Sequence, residues 1–165
     1  MTDLPVLDAL ADEFLNNYSR GRILVAVDGP DAAAAARFAD ALADTLRGRD
    51  RAVFRAGAPV AEAYRADEDR TGLRETLAAF REGAVEDGSV PEDAALIVDG
   101  RFLLSPKLRG AWHFRIWLES DLPLSSEAYA AQVAYTRDEA PRGAADAIYD
   151  VTDPDAPRRV WSDSC

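Results

Sequence analysis

Val27-Asp28-Gly29-Pro30-Asp31-Ala32-Ala33-Ala34-Ala35-Ala36 joins the apolar run Ile23–Val27 to an alanine-rich segment with helical periodicity. The run is short, continuous and aliphatic, the pattern of a strand buried on both faces. Phe38, Leu42, Thr45 and Leu46 then line one face of a helix expected over residues 31–47, which Gly48 ends and Asp31 is placed to cap. Five consecutive alanines favour that helix intrinsically. A strand, a turn opening on glycine and a helix make the frame of a phosphate-binding loop, GxxxxGK[ST]. In that loop, backbone amides and a lysine hold phosphate and a hydroxyl holds Mg2+. Gly29 is the opening glycine of the frame, while Ala34, Ala35 and Ala36 stand where Gly, Lys and Ser or Thr are required. The frame is present and its phosphate chemistry is missing.

Outward from this stretch the chain alternates strand and helix signals. Leu7, Leu10, Phe14 and Tyr18 predict a lead-in helix over about residues 3–18. Short strands are expected at 52–56, 94–98, 114–118 and, on a more acidic run, 145–150. Leu73, Leu77 and Phe80 mark an amphipathic helix ending near Gly83, and residues 126–135 read as another, with Tyr129 and Val133 facing inward. Asp87–Pro91 and Asp153–Pro157 are turn signals, and residues 158–165 form a short edge segment or tail. The alternation predicts a three-layer α/β domain with a mostly parallel sheet of five strands, residues 1–165 forming one unit.

The 165 residues are 48% hydrophobic and 30% charged, as in globular proteins, which excludes wholesale disorder. A net charge of −11, from 19 Lys and Arg against 30 Asp and Glu, repels nucleic-acid backbones and anionic membranes. The single cysteine, Cys165, has no partner for an internal disulfide. With no secretory pattern in residues 1–20 and no long apolar run, a cytoplasmic location is expected, without nucleic-acid or membrane partners.

Three stretches in order carry a resemblance: VDG followed by FADALADTLRGRDRAVFRA (residues 27–29 and 38–56), LIVDGRFLLSPKLRGAWHFRIWLE (96–119) and ADAIYDVTDPDAP (145–157). Together they resemble the uridine-kinase-like P-loop family. The resemblance implies an adenylate-kinase-like P-loop fold with sheet order 2-3-1-4-5, counting strands along the chain. It also implies ATP-dependent phosphorylation of nucleosides or similar metabolites in active members. Carried over residue by residue, it makes Asp28, Gly29, Asp31, Ala34, Ala35, Ala36, Arg37 and Asp99 the positions of a degenerate nucleotide site.

Ala35 is the decisive departure, because a methyl group cannot replace an ammonium directed at phosphates. Arg37 does not replace it either: two residues along a helix turn a side chain by roughly 200°, so its expected role is surface cover or a carboxylate partner. Asp99, after the strand 94–98, resembles the family's acidic residue near Mg2+, and is the one candidate metal position. The acidic pair and aromatic that follow the second strand in relatives are replaced by Gly57-Ala58-Pro59-Val60-Ala61, with Asp67, Glu68 and Asp69 read as a solvated loop. The lid arginines of relatives are missing from Leu122–Gln132, leaving Arg137 and Arg142 as candidate phosphate contacts. His113, the sole histidine, has no nucleophile placed beside it and reads as a strand-entry packing residue.

No catalytic residue and no cofactor are therefore expected. The sequence points to a catalytically degenerate nucleoside-kinase-like protein with a structural, regulatory or ligand-sensing role and a small-molecule or protein partner. Two alternatives stay open: an atypical small-molecule kinase using ATP and Mg2+, and a protein-interaction module.

Overall fold

The computed structural model describes residues 4–58, 70–85 and 88–161. Pro5 opens helix α1 (Pro5–Asn17), where its missing N–H costs nothing, and Leu7, Leu10, Ala11 and Phe14 form the buried face. Strand β1 (Ile23–Asp28) is buried at every residue. Helix α2 (Ala32–Arg47) begins immediately after Asp31, whose side chain accepts the Ala33 amide proton at 3.1 Å. Strand β2 (Val53–Gly57), helix α3 (Thr71–Arg81) and the two-stranded antiparallel pair β3 (Ala84–Val85) and β4 (Gly88–Ser89) follow. Then come β5 (Ala95–Gly100), the single turn α4 (Pro106–Arg109), β6 (Phe114–Glu119), α5 (Ser126–Glu139), a 3-10 turn at Pro141–Ala144, β7 (Ala147–Asp150) and β8 (Arg158–Val160).

The main sheet runs β2-β5-β1-β6-β7-β8. The first five strands are parallel, in the order expected, and β1 and β5 are central neighbours in register from Ile23 opposite Ala95 to Asp28 opposite Gly100. The sheet has six strands where five were expected. Residues 158–160 pair antiparallel with β7, so the edge segment completes the sheet. Two apolar layers flank it. Leu7, Phe14, Phe38, Leu42 and Leu46 from α1 and α2 cover one face; Leu73, Leu77, Phe80, Leu108 and Tyr135 from α3, α4 and α5 cover the other.

Helix α5 corrects one expectation. Tyr129 and Val133 are 63% and 43% exposed, whereas Ala131 and Tyr135 face the core. The two pairs are offset by two residues, close to opposite sides of a helix, and the larger apolar contact made by Tyr135 with Phe102 and Trp117 selects the register. The helix also runs four residues beyond the expected end, to Glu139, and is followed by Ala140, a left-handed cap whose amide donates to the Thr136 carbonyl at 3.2 Å. Trp112 and Trp117 are buried, while Trp161 is exposed under the Arg159 guanidinium, 4.3 Å from its ring centroid. No helix among the described residues is long and apolar enough to cross a membrane.

Candidate functional site

The turn between β1 and α2 is three residues long, Gly29 to Asp31, because the alanines from position 32 onward are already helical. The Ala35 amide donates to the Asp31 carbonyl at 3.0 Å, so it serves the helix. Ala35 itself is fully buried, facing the core side of α2. Gly29 is closely packed: a Cβ there would stand 3.3 Å from the Leu118 Cβ and 3.6 Å from that of Ala35. The strand, turn and helix are in place, but residues 32–36 close into helix instead of holding a wide loop of amides open.

Asp99, at the end of β5, is mostly buried and meets a cation belonging to the chain itself. The Arg55 guanidinium, projecting from β2, lies 2.6 Å from its carboxylate. The same guanidinium donates to Asp40 (3.1 Å), to the Ile97 carbonyl (2.9 Å) and to the Ala36 carbonyl (3.4 Å). It thus joins α2, β2 and β5 at the carboxylate that the sequence resemblance made the candidate metal position. The residues present do not fit a phosphate-bound divalent cation. Position 36 offers a methyl group, position 35 offers no charge, and Asp99 is already paired with Arg55.

The other candidate cations are engaged elsewhere. Arg37 pairs with Asp155, turned away from the turn as its helical position requires. Arg137 pairs with the adjacent Asp138 at 2.8 Å, and Arg142 pairs with Glu119. Arg101 donates to the Ala128 carbonyl (3.0 Å) and Gln132 (3.3 Å) on α5. His113 accepts the Leu24 amide proton at Nδ1 (2.9 Å) while its own amide donates to the Leu24 carbonyl. Burial, and then the nearby Arg81, push its pKa down. It extends the sheet's hydrogen bonding at the entry to β6. Asp67, Glu68, Asp69, Pro59–Ala61 and Cys165 lie outside the described residues.

Asp28 is the buried polar centre of this region, and its chemistry was not evident from the stretch that contains it. Its carboxyl is 1% exposed and accepts from the amides of Phe102 (3.2 Å), Leu103 (3.1 Å) and Leu104 (3.3 Å) and from the Tyr135 hydroxyl (2.6 Å). Burial pushes its pKa up to about 7 against the pull of these donors. The readable signal was a carboxylate ending an entirely apolar strand, which has to find donors when buried; which donors it finds depends on the fold.

One cleft borders α2 and another borders the turn. The first, of about 510 Å³, lies between α1, α2 and residues 151–157, lined by Leu4, Ala34, Phe38, Ala41 and Pro154 among others. The second, about 450 Å³, lies over Pro30 between the residues after β6 and the outer part of α5. Leu122, Leu124, Tyr129, Gln132 and the Glu119–Arg142 pair line it. Both are within the size range of small-molecule sites.

Comparison with known proteins places the fold. No protein-family model matches the chain, and no curated protein matches it in sequence. Among solved structures, the chain is similar to a possible uridine kinase from Bacillus stearothermophilus, with 19% identity and a TM-score of 0.63, over 87% of this chain and 97% of that one. It is also similar to a protein provisionally described as a fructose transport system kinase from Silicibacter sp. TM1040 (16% identity, TM-score 0.54, 84% of this chain and 85% of that one). At these identities the likeness concerns the fold: a P-loop kinase-like α/β domain, as the sequence resemblance implied.

Proposed function

We propose that this chain is a catalytically degenerate uridine- or nucleoside-kinase-like protein of the cytoplasm, with a structural, regulatory or ligand-sensing role. The observation that carries this reading is the start of α2 at Ala32, with Ala35 buried in the helix's inner face. A catalytic P-loop works by positioning phosphate and by placing fixed charge where negative charge develops. Here the Ala35 amide donates to the Asp31 carbonyl and the Ala33 amide to the Asp31 side chain, Arg37, Arg55 and Arg142 pair with carboxylates, and Arg101 is held by the Ala128 carbonyl and Gln132. The arrangement favours neither ATP nor Mg2+ as a cofactor. The cleft over Pro30 supports ligand sensing, since it combines apolar walls with a few polar groups and needs no phosphate grip.

Calorimetric titration with ATP, ADP and Mg2+, followed by phosphotransfer assays across nucleosides and other hydroxylated metabolites, tests the proposal. No turnover is expected. Robust turnover with a 1:1 phosphorylated product, abolished by Asp99→Asn, would establish the alternative of an atypical kinase.

A further inference from the structure

We propose that Asp28 is an internal latch that bolts helix α5 to the turn after β1, so that the segment lying where relatives carry a mobile lid is held in place without any ligand. Three successive amides, of Phe102, Leu103 and Leu104, converge on one carboxyl group. Successive amides wrapped in this way form a nest, a concavity that ordinarily receives an anion. The nest is filled here by a side chain of the same molecule. Its geometry is imposed: Phe102 stands at φ 62°, in the left-handed region that a bulky residue adopts only when its surroundings compel it.

The fourth donor carries the connection to α5. The Tyr135 hydroxyl donates to Asp28 at 2.6 Å and also receives the Leu104 amide proton at 2.9 Å. It therefore closes a ring of hydrogen bonds among β1, the loop after β5 and α5. Its aromatic ring packs against Phe102 and Trp117, with centroids 4.9 and 6.1 Å apart. Two arginines secure the helix at either end: Arg101 to the Ala128 carbonyl, and Arg109 to both the Leu104 carbonyl (2.8 Å) and the Glu139 carbonyl (2.6 Å). Each fastening joins α5 to the loop 101–109, and Asp28 joins that loop to the turn. A lid that opens and closes needs a hinge and few fixed polar contacts; α5 has the reverse. This inference rests on the proposed function only for its consequence, that the fold is kept closed for a purpose other than turnover.

Hydrogen exchange of the full-length protein at pH 8, followed by mass spectrometry, tests it. In the unaltered protein, amides of α5 from Ala131 to Glu139 and of residues 102–104 should be protected to within about tenfold of those in β1, with or without MgATP. Asp28→Asn turns one acceptor oxygen into a donor facing other donors. Tyr135→Phe keeps the packing and deletes one hydroxyl. Each should raise exchange at both 102–104 and α5 by tenfold or more, leave β1 and α1 unchanged, and add little when combined. Fast exchange of α5 in the unaltered protein, or acceleration of α5 by Tyr135→Phe with no response at 102–104, would overturn the latch. Protection of α5 gained on adding MgATP would overturn both the latch and the degenerate reading. Nucleotide binding seen by calorimetry with α5 already protected would overturn the degenerate reading alone.

Discussion

Replacing Asp28 by Asn should change how stability depends on pH, with a sign that the structure dictates. The carboxyl has an ordinary pKa of 3.8, and burial raises it to about 7 in the folded protein. Between these values the unfolded chain has released the proton and the folded chain still holds it. Stability from this group is thus complete at low pH and is lost as pH rises through about 7, with a slope of roughly 1.4 kcal/mol per pH unit. From about pH 5 to 7 the loss amounts to roughly 2–3 kcal/mol, and above that the curve flattens. His113 acts in the opposite direction: its pKa is lowered in the fold, so unfolding is favoured as pH falls below the ordinary 6.5. The two slopes oppose each other in the unaltered protein, and the difference between it and Asp28→Asn isolates the carboxyl. Urea unfolding followed by tryptophan fluorescence at pH 5, 6, 7 and 8 measures that difference. The stability gap between the two proteins should shrink by roughly 2–3 kcal/mol on going from about pH 5 to 7. A gap constant to within about 0.5 kcal/mol would refute the reasoning, because it would mean that Asp28 has the same charge in the folded and unfolded states.

Arg55→Gln leaves the buried Asp99 carboxylate without its counter-ion and should destabilise the fold by on the order of 2–4 kcal/mol in the same unfolding assay. Ala35→Lys, the change that would restore the phosphate-loop lysine, places an ammonium on the buried face of α2 and should lower stability by more than about 2 kcal/mol unless the helix start unwinds, which circular dichroism would register. Ala140→Gly relieves an alanine at φ 47° and should raise stability by about 1 kcal/mol, read as a higher denaturation midpoint. On the proposed degenerate reading, the unaltered protein should form no phosphorylated product above the no-enzyme control with uridine, ATP and Mg2+, since loss of even one transition-state contact costs roughly 10²–10³ in rate.

The order of strands and helices was legible because it is written in local periodicity. Runs such as Ile23–Val27 and Ala95–Val98 are continuous and apolar, and alternate with segments whose apolar residues recur at three and four. The closed turn at 32–36 was legible too, since alanine favours helix and Asp31 caps it. The strand order came from the family resemblance, because pairing between strands tens of residues apart leaves no local trace. The inward face of α5 was misread for a related reason. Its apolar residues lie all around the helix, so only the packing partners Phe102 and Trp117 decide that Tyr135 turns in and Tyr129 out.

What the sequence by itself determined is the local frame: a buried strand, a turn on Gly29, and an alanine run at 32–36 that begins the helix. These follow from residue identity and short-range propensity. What only the tertiary structure decided is where the remaining charges go. Asp28 finds its donors 74 to 107 positions away, and Asp99 finds Arg55 on the neighbouring strand β2. A buried carboxylate must be satisfied wherever it lies, but its partner is whichever donor the sheet order brings alongside, and that order is a property of the whole chain.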